Sequence, residues 1–176
     1  MSAETFTTAM FLITAVIAAG VLINAIFPVV YTMSSTFSSA THESDQRLRT
    51  DFKIVTYQYA SSGTYTNEAD IWIKNTGSAR IPLYDIAKSD VFCGPEGHFS
   101  RLQYTNTTPD TGQWTTEFGT NADNKEYDLN SNGYWDSGET LHIIAYPTTT
   151  TAKGETVYFQ FILPDGIWRS TTFSAS

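Results

Sequence analysis

A long stretch without charge opens the sequence and limits the folds that the chain can adopt. No Asp, Glu, Lys or Arg occurs within residues 5–41, and residues 9–31 read AMFLITAVIAAGVLINAIFPVVY. The residues that interrupt this apolar run are Thr14, Gly20, Asn24 and Pro28. As a helix at about 1.5 Å per residue, the run reaches roughly 35 Å, whereas the hydrocarbon core of a bilayer is about 30 Å thick. The sequence therefore predicts a transmembrane helix.

A secretory signal peptide is the alternative interpretation of an apolar N-terminal segment. It would show a basic n-region, a shorter apolar core and a small-residue cleavage site. These features are not present, so we expect the helix to be retained. Asn24 and Pro28 are its two irregular points, because an amide in lipid seeks a partner and a proline frees a carbonyl. A local bend without function is the alternative for both residues.

The composition changes after Tyr31, where residues 32–50 read TMSSTFSSATHESDQRLRT. This segment is polar but contains no Gly or Pro, and its apolar residues are spaced by four, three and eight positions. Those residues are Met33, Phe37, Ala40 and Leu48. The spacing is close to the helical period, so we predict that the helix continues as a stalk to about Arg49. Residues 1–49 form the first predicted domain.

An apolar stripe on this stalk predicts assembly through the helix. Met33, Phe37 and Ala40 lie roughly along one side, in an uncharged segment that the bilayer does not require. An isolated helix is marginal in water, so a stalk that stays helical should bury its stripe against another helix or its own β domain. We predict self-association, or association with a similar subunit, through these three residues. A frayed tether is the alternative.

Beyond residue 50 the hydrophobic period changes to that of β-strands. Eight short segments are rich in β-branched and aromatic residues and are separated by turn signals such as Asn75-Thr76-Gly77 and Pro164-Asp165-Gly166. The segments span residues 51–60, 69–75, 89–94, 100–105, 113–118, 141–146, 155–163 and 166–174. This spacing predicts an immunoglobulin-like β-sandwich over residues 50–176. The predicted fold class is α+β, a long N-terminal hydrophobic helix followed by an all-β sandwich.

A calcium-loop pattern lies inside the β domain. Residues 128–139, DLNSNGYWDSGE, match D-x-[DN]-x-[DN]-G-x5-E at every specified position. Calcium takes six or more oxygen ligands, and Gly133 permits the sharp turn between them. The candidate ligands are Asp128, Asn130, Asn132, the carbonyl of Tyr134, Asp136 and Glu139.

The surroundings of the pattern predict a structural calcium site rather than a calcium sensor. An EF-hand would place a helix on each side, but residues 140–146 alternate like a strand. A polar Asx-type turn that needs no ion is the alternative, since Asp, Asn and Gly favour turns. Three carboxylates in one turn repel each other without a cation, which favours calcium. The ion would pin a connection between strands.

The side of the membrane that holds the β domain follows from two opposing signals. Arg47, Arg49 and Lys53 follow the helix, and the positive-inside rule would place them in the cytoplasm. A helical stalk would hold these residues about 25 Å from the lipid, at the outer limit of that rule. The calcium loop and the sequon at Asn106, a candidate glycosylation site, suit an exterior. We therefore predict a single-pass protein of the cell membrane with its β domain outside.

Composition and motifs argue against two other classes of function. Acidic residues outnumber basic ones 18 to 10 and no Lys/Arg cluster occurs, so we expect no nucleic-acid partner. No H-E-x-x-H, G-x-S-x-G, G-x-G-x-x-G or P-loop pattern occurs. Cys93 and His98 supply only two ligands, too few for a zinc site, and we expect a buried Cys93 and a surface His98. We predict a non-enzymatic protein, with paired acids for glycoside cleavage as the open alternative.

Three segments carry a family resemblance. They are the whole N-terminal helix with its exit THESDQRLRTDF, then ADIWIKNTGSARIPLYDIAKSDVFCG, and the terminal VYFQFILPDGIWRSTTF. Together they resemble the FlaF/FlaG family of accessory proteins of the archaeal flagellum, or archaellum, which is related to archaellins. The resemblance implies a non-catalytic component of the cell envelope. It also implies a β-sandwich between membrane and S-layer that contacts a FlaF-like subunit or a second copy.

A filament subunit is the alternative function. Archaellin and type IV pilin-like precursors carry a short basic leader before the apolar helix, and their helices assemble in an extracellular filament. The present sequence has no Lys or Arg before Arg47, and the apolar helix starts almost at Met1. This departure favours the accessory role. A carbohydrate- or solute-binding sandwich is a third hypothesis and depends only on the four Trp and ten Tyr residues.

Overall fold

The structure is a computed structural model and describes residues 2–61, 67–117 and 132–176. Helix α1 spans Ser2–Arg49, which confirms the predicted continuous helix and its end. The short helix α2 spans Leu83–Ile86. The strands are β1 (Phe52–Ala60), β2 (Glu68–Asn75), β3 (Ile81–Pro82), β4 (Asp90–Pro95), β5 (Ser100–Tyr104), β6 (Gln113–Glu117), β7 (Tyr134–Trp135), β8 (Thr140–Tyr146), β9 (Thr156–Ile162) and β10 (Trp168–Ser174).

Helix α1 is uninterrupted although Pro28 lies inside it. At about 1.5 Å per residue, its 48 residues extend roughly 72 Å, more than twice the thickness of a hydrocarbon core. Its threonine hydroxyls donate to carbonyls one turn earlier, as Thr14 does to Met10 and Thr32 does to Pro28, each at 2.8 Å. The helix therefore satisfies these polar groups internally, as a segment inside lipid must.

The eight predicted strands form one sheet that folds into two layers, in the order β1-β2-β8-β6-β5-β4-β9-β10. Neighbouring strands are antiparallel except β5 and β6, which pair in parallel and join the two layers along one side. On the other side β1 and β10 approach each other, and the rings of Tyr57 and Phe173 stack at 4.4 Å. The predicted sandwich is confirmed, and it closes almost into a barrel.

Alternate side chains along the strands point inward and form the hydrophobic core. On β8 the side chains of Leu141, Ile143 and Ala145 are fully buried, as the period of two predicts. Aromatic rings from the two layers meet at the centre, where Phe161 lies 5.5 Å from Phe52 and 6.1 Å from Trp114 between ring centroids. This packing between layers holds the sandwich together.

The segments β3, β7 and α2 were not anticipated from the sequence. Strand β3 pairs with β7 through two residues on each side, too short a run for a period of two to be visible. Helix α2 is a single turn that follows Pro82. These three short elements bring residues 81–86 and 132–139 close together, and Leu83 N–H donates to the carbonyl of Gly133 at 3.2 Å.

Residues 73–77, IKNTG, span the end of β2 and the turn after it, and Asn75 holds this region in place. Asn75 is fully buried, and its side-chain amide donates at 2.9 Å both to the carbonyl of Ala79 and to that of Trp135. Its backbone N–H donates to the Glu139 carbonyl at 3.0 Å, and its own carbonyl accepts from Gly138 N–H at 2.8 Å. Asn75 therefore fixes the turn at residues 132–139 to the end of β2.

Gly77, the glycine of the same motif, leaves room for the backbone at the end of α1 to lie close to this turn. A Cβ at Gly77 would lie 2.3 Å from the Arg49 carbonyl oxygen and 2.5 Å from the Asp51 nitrogen, so only glycine fits there.

The chain divides into two compact units at Asp45, four residues before α1 ends. The last helical turn belongs with the β domain because the Arg49 carbonyl accepts from Ser78 and Ala79.

Candidate functional site

Helix α1 exposes its apolar side chains along its whole length. Phe11, Val16 and Phe27 are examples, with exposed fractions of 73%, 72% and 58%. By length and composition, this helix is able to cross a membrane, and none of its apolar window is buried within the chain. Such a surface is stable only in contact with lipid or with another protein.

The predicted apolar stripe occupies one strip along α1. Met33, Phe37 and Ala40 lie together on this strip, and Met33 and Phe37 are 73% and 74% exposed. The other residues that line it are Pro28, Val29, Thr32 and Thr36. The helical period thus brings the three predicted residues onto one face. Their role in self-association stays a prediction.

The calcium-loop pattern is described only from Asn132 onward, because Asp128 and Asn130 lie outside the described residues. In that part, the side-chain oxygen of Asn132 accepts from the Tyr134 N–H at 2.8 Å, which is an Asx turn. The Asn132 amide donates to an Asp136 oxygen at 2.7 Å, and a Glu139 oxygen accepts from the Asp136 N–H at 2.8 Å. The protein's own donors therefore reach three of the predicted calcium ligands.

Other groups fix this turn to the β domain. Gly133 has a φ of +76°, which supplies the left-handed residue that the sequence pattern requires. The indole N–H of Trp135 donates to the Glu139 carbonyl at 2.9 Å, and Arg80 lies 3.7 Å from an Asp136 oxygen. In the described part of the chain, no group of three or more His, Cys, Asp or Glu side chains is arranged to hold a metal ion. Calcium binding stays a prediction.

Calcium is expected to raise the melting temperature of the full-length chain in detergent micelles. With a dissociation constant of about 10⁻⁴ to 10⁻³ M, about 10 mM calcium would add roughly 1.4–2.7 kcal/mol of stability by mass action. Asp128→Asn should remove this response, whereas Asp110→Asn, a change at an exposed loop aspartate, should keep it. Identical melting curves in calcium and in chelator would contradict the prediction and favour the ion-free Asx turn.

The glycosylation sequon lies on the surface. Asn106, Thr107 and Thr108 form an exposed bend after β5, and the Thr107 N–H donates to the Thr105 hydroxyl at 3.3 Å. An acceptor asparagine must be reachable by a transferase, and Asn106 meets this condition. Its modification stays a prediction.

Cys93 and His98 occupy the environments that the sequence predicts. Cys93 is fully buried and His98 is exposed. Burial raises the pKa of the Cys93 thiol to about 12. A thiol in this state is inert as a nucleophile, and it behaves as a small apolar core residue.

Sequence reasoning missed a polar network centred on His142, on the outer face of β8. His142 is only 6% exposed, and its ring stacks on Trp72 with centroids 4.4 Å apart. Its Nε2 lies 2.8 Å from a carboxylate oxygen of Asp70 on β2, and its Nδ1 lies 3.1 Å from one of Glu117 on β6. The only sequence signal is the alternation that places His142 opposite the buried face of β8.

A third acidic residue belongs to the same network. Glu68, on β2, is also nearly buried, and the hydroxyl of Tyr146 donates to its carboxylate. Burial raises the pKa of the Glu68 carboxyl, and the Tyr146 hydrogen bond opposes this rise. Polar side chains from β2, β6 and β8 are thus joined in one cluster.

Three comparisons with known proteins relate the chain to others. The model of the archaeal-type flagellin family matches residues 2–173. An uncharacterized protein of Archaeoglobus fulgidus is 27% identical over 176 residues, which cover 99% of each chain. The archaellum periplasmic stator protein FlaG from Sulfolobus acidocaldarius is 21% identical, with a TM-score of 0.51, over 70% of this chain and 99% of its own.

A filament structure shares more of the architecture. A chain of the archaeal flagellum of Methanospirillum hungatei strain JF1 is 13% identical, with a TM-score of 0.67. The match covers 97% of the present chain and 93% of that chain, so it extends over both the helix and the β domain. The fold of the present chain, helix and β domain together, is therefore similar to that of this filament chain.

Proposed function

Because the chain belongs to the archaeal-type flagellin family, we propose that it is a non-enzymatic structural component of the archaellum, of the accessory FlaG type. The observation that carries this proposal is the family match over residues 2–173, which includes both the apolar helix and the β domain. The accessory type is supported by the sequence resemblance to the FlaF/FlaG family, in particular the helix exit THESDQRLRTDF. A buried, unreactive Cys93 adds no catalytic group to this chain.

Helix α1 would anchor the protein in the cell membrane by a single pass, with the β domain outside. Its exposed apolar surface and its internally bonded threonines suit a lipid environment. The exposed sequon at Asn106 and the predicted calcium turn suit an extracytoplasmic domain. Calcium, if bound, would act as a structural clip in a domain without disulfides.

The helix is also the proposed assembly surface, and its occupant is a second copy of this chain. Only about 30 Å of a helix roughly 72 Å long fits a hydrocarbon core, so Met33, Phe37 and Ala40 require another partner if they lie beyond it. Packing against the same strip of a second helix would cover all three residues. The resemblance to the FlaF/FlaG family adds a FlaF-like subunit as a partner of the β domain, with the S-layer and the filament as neighbouring structures.

A filament subunit is the alternative, since archaellins share the helix and the sandwich. The fold alone does not separate the two roles, because the matched filament chain covers almost the whole sequence. Processing of the N-terminus does separate them, since filament precursors are cut before assembly.

Mass spectrometry of the native protein tests the accessory role. We expect the mature protein to keep the residues ahead of the apolar run, such as Glu4, because an accessory component needs no processing cut before its helix. A known filament subunit from the same cells, which should show a processed terminus, is the positive control. A truncated terminus on the present chain would contradict the accessory role and support the filament subunit.

A further inference from the structure

We propose that Asn24 is the hydrogen-bonding centre of a contact between two copies of α1 inside the membrane. Given the membrane anchoring proposed above, on which this site depends, Asn24 lies inside the hydrocarbon core. It belongs to the apolar run of residues 9–31 and lies about 10 Å before the end of that run. Water does not reach a short side chain at this depth, so the amide must find its partner in protein.

The amide of Asn24 differs in this respect from the hydroxyls of the same helix. Thr14 and Thr32 donate at 2.8 Å to carbonyls one turn earlier, on Met10 and Pro28. In the part of the chain that the structure describes, the Asn24 side chain is exposed and makes no hydrogen bond. A primary amide has two N–H donors and an oxygen acceptor, and leaving them unpaired in hydrocarbon is costly.

Pro28 removes a hydrogen-bond donor at the same place. In a regular α-helix the N–H of residue 28 donates to the carbonyl of residue 24, but proline has no N–H. The Asn24 carbonyl therefore lacks its usual donor, in addition to the side-chain amide. A neighbouring helix is one of the partners that satisfy a carbonyl freed by proline in a membrane. Two separate features of the sequence thus direct a partner to one point of α1.

The surface beside Asn24 leaves room for a second helix. Gly20 lies one turn before Asn24 and Pro28 one turn after it, so all three share one side of α1. A Cβ at Gly20 would meet nothing within 4 Å, so the backbone at this turn is open to approach. Small residues at such positions let two helices come close enough to bond across. Pro28 also lines the strip that contains Met33 and Phe37, which makes the two contact regions continuous.

The occupant is a second copy of this chain, because the amide is self-complementary. Copies that enter the membrane in the same direction carry Asn24 at the same depth, whereas a different helix would need a polar residue there. Across a two-fold axis, each amide donates one N–H to the side-chain oxygen of the other and keeps a second N–H for the freed carbonyl. Residues 5–41 contain no charged side chain, so two copies of a chain with a net charge of −8 meet here without direct repulsion.

Energy transfer between copies of the full-length chain in phosphatidylcholine vesicles tests the proposal. Ala3→Cys carries the donor or acceptor dye, because position 3 is exposed whereas the Cys93 thiol is fully buried and does not compete for the dye. Flotation of the vesicles establishes that the chain is in the bilayer. Transfer measured over a range of protein-to-lipid ratios then gives the dissociation constant of the pair.

Asn24→Leu is expected to raise this dissociation constant at least about fivefold, because it removes the hydrogen bonds between the helices and keeps the apolar surface. Asn24→Gln, which retains an amide, should keep most of the wild-type affinity. Thr14→Leu is the matched control. The Thr14 hydroxyl is already bonded within its own helix, so its removal should leave the dissociation constant unchanged.

A dissociation constant in Asn24→Leu equal to that of the wild type would overturn the proposal, even where Phe37→Glu weakens the association. A wild type that floats with the vesicles but stays monomeric at every ratio would also overturn it and would leave a different polar helix as the partner of Asn24. A chain that does not float would contradict the proposed membrane anchoring, and the contact at Asn24 with it.

Discussion

Replacing Trp135 by alanine is expected to lower the free energy of unfolding of the β domain by about 3–5 kcal/mol. Trp135 is fully buried, and its ring centroid lies 6.1 Å from that of Phe52. The substitution removes this core packing and leaves a cavity between the turn at residues 132–139 and the sandwich. It also removes the indole donor to the Glu139 carbonyl, at 2.9 Å. The buried carbonyl would then lose one of its two hydrogen bonds.

Urea unfolding followed by circular dichroism measures the effect, with the midpoint and the slope compared between variants. Trp168→Ala is the matched control, because the Trp168 side chain is 52% exposed and its removal should cost less than about 1 kcal/mol. Equal losses in the two variants would show that Trp135 does not anchor the turn to the core.

Phe37→Glu is expected to reduce the oligomer yield of the full-length chain at least about fivefold, because an unpaired charge in a helical seam costs several kcal/mol. Phe37 is 74% exposed on the single chain, between Met33 and Ala40 on the apolar strip. Crosslinking of membranes that contain the wild type or the variant measures the yield. A second copy on this strip is expected to give a dimer or higher oligomer of the chain alone.

Ser35→Glu is the control for the added charge. Ser35 is exposed at nearly the same height on the helix but lies about 160° around its axis from Phe37. Ser35→Glu should leave the oligomer yield unchanged, and Phe37→Leu should retain most of the wild-type yield. A yield that Phe37→Glu does not change would leave the helix as an anchor only. Crosslinks to a different protein, with none between copies, would replace the second copy by another subunit.

The sequence predicts those parts of the fold that come from long, regular patterns. The uncharged run and the stalk spacing place the helix and its end at Arg49, because both depend only on local periodicity. The strand segments follow from alternation in the same way, as β8 shows with Leu141, Ile143 and Ala145. The position of Met33, Phe37 and Ala40 on one strip of α1 follows from the helical period.

Features that depend on contacts between distant residues could not be predicted. The parallel pairing of β5 with β6 and the contact between β1 and β10 are set by packing across the sandwich. The role of Asn75 requires the turn at residues 132–139 to be placed against β2. The contact between His142 and Asp70 joins residues 72 positions apart in the chain. The calcium motif predicts six ligands. The pattern does not show that three of them, Asn132, Asp136 and Glu139, accept hydrogen bonds from groups of the protein itself.

Fractionation of archaeal cells that produce this protein tests its proposed role as a membrane-anchored accessory component most directly. The filaments are sheared from the cells, and the chain is quantified by mass spectrometry in the sheared filaments and in the washed membranes, with a filament subunit as the reference. We predict that the chain stays in the membrane fraction and is released only by detergent, because α1 exposes an apolar surface long enough to cross the bilayer. Recovery of the chain with the sheared filaments, in proportion to the filament subunit, would contradict this account.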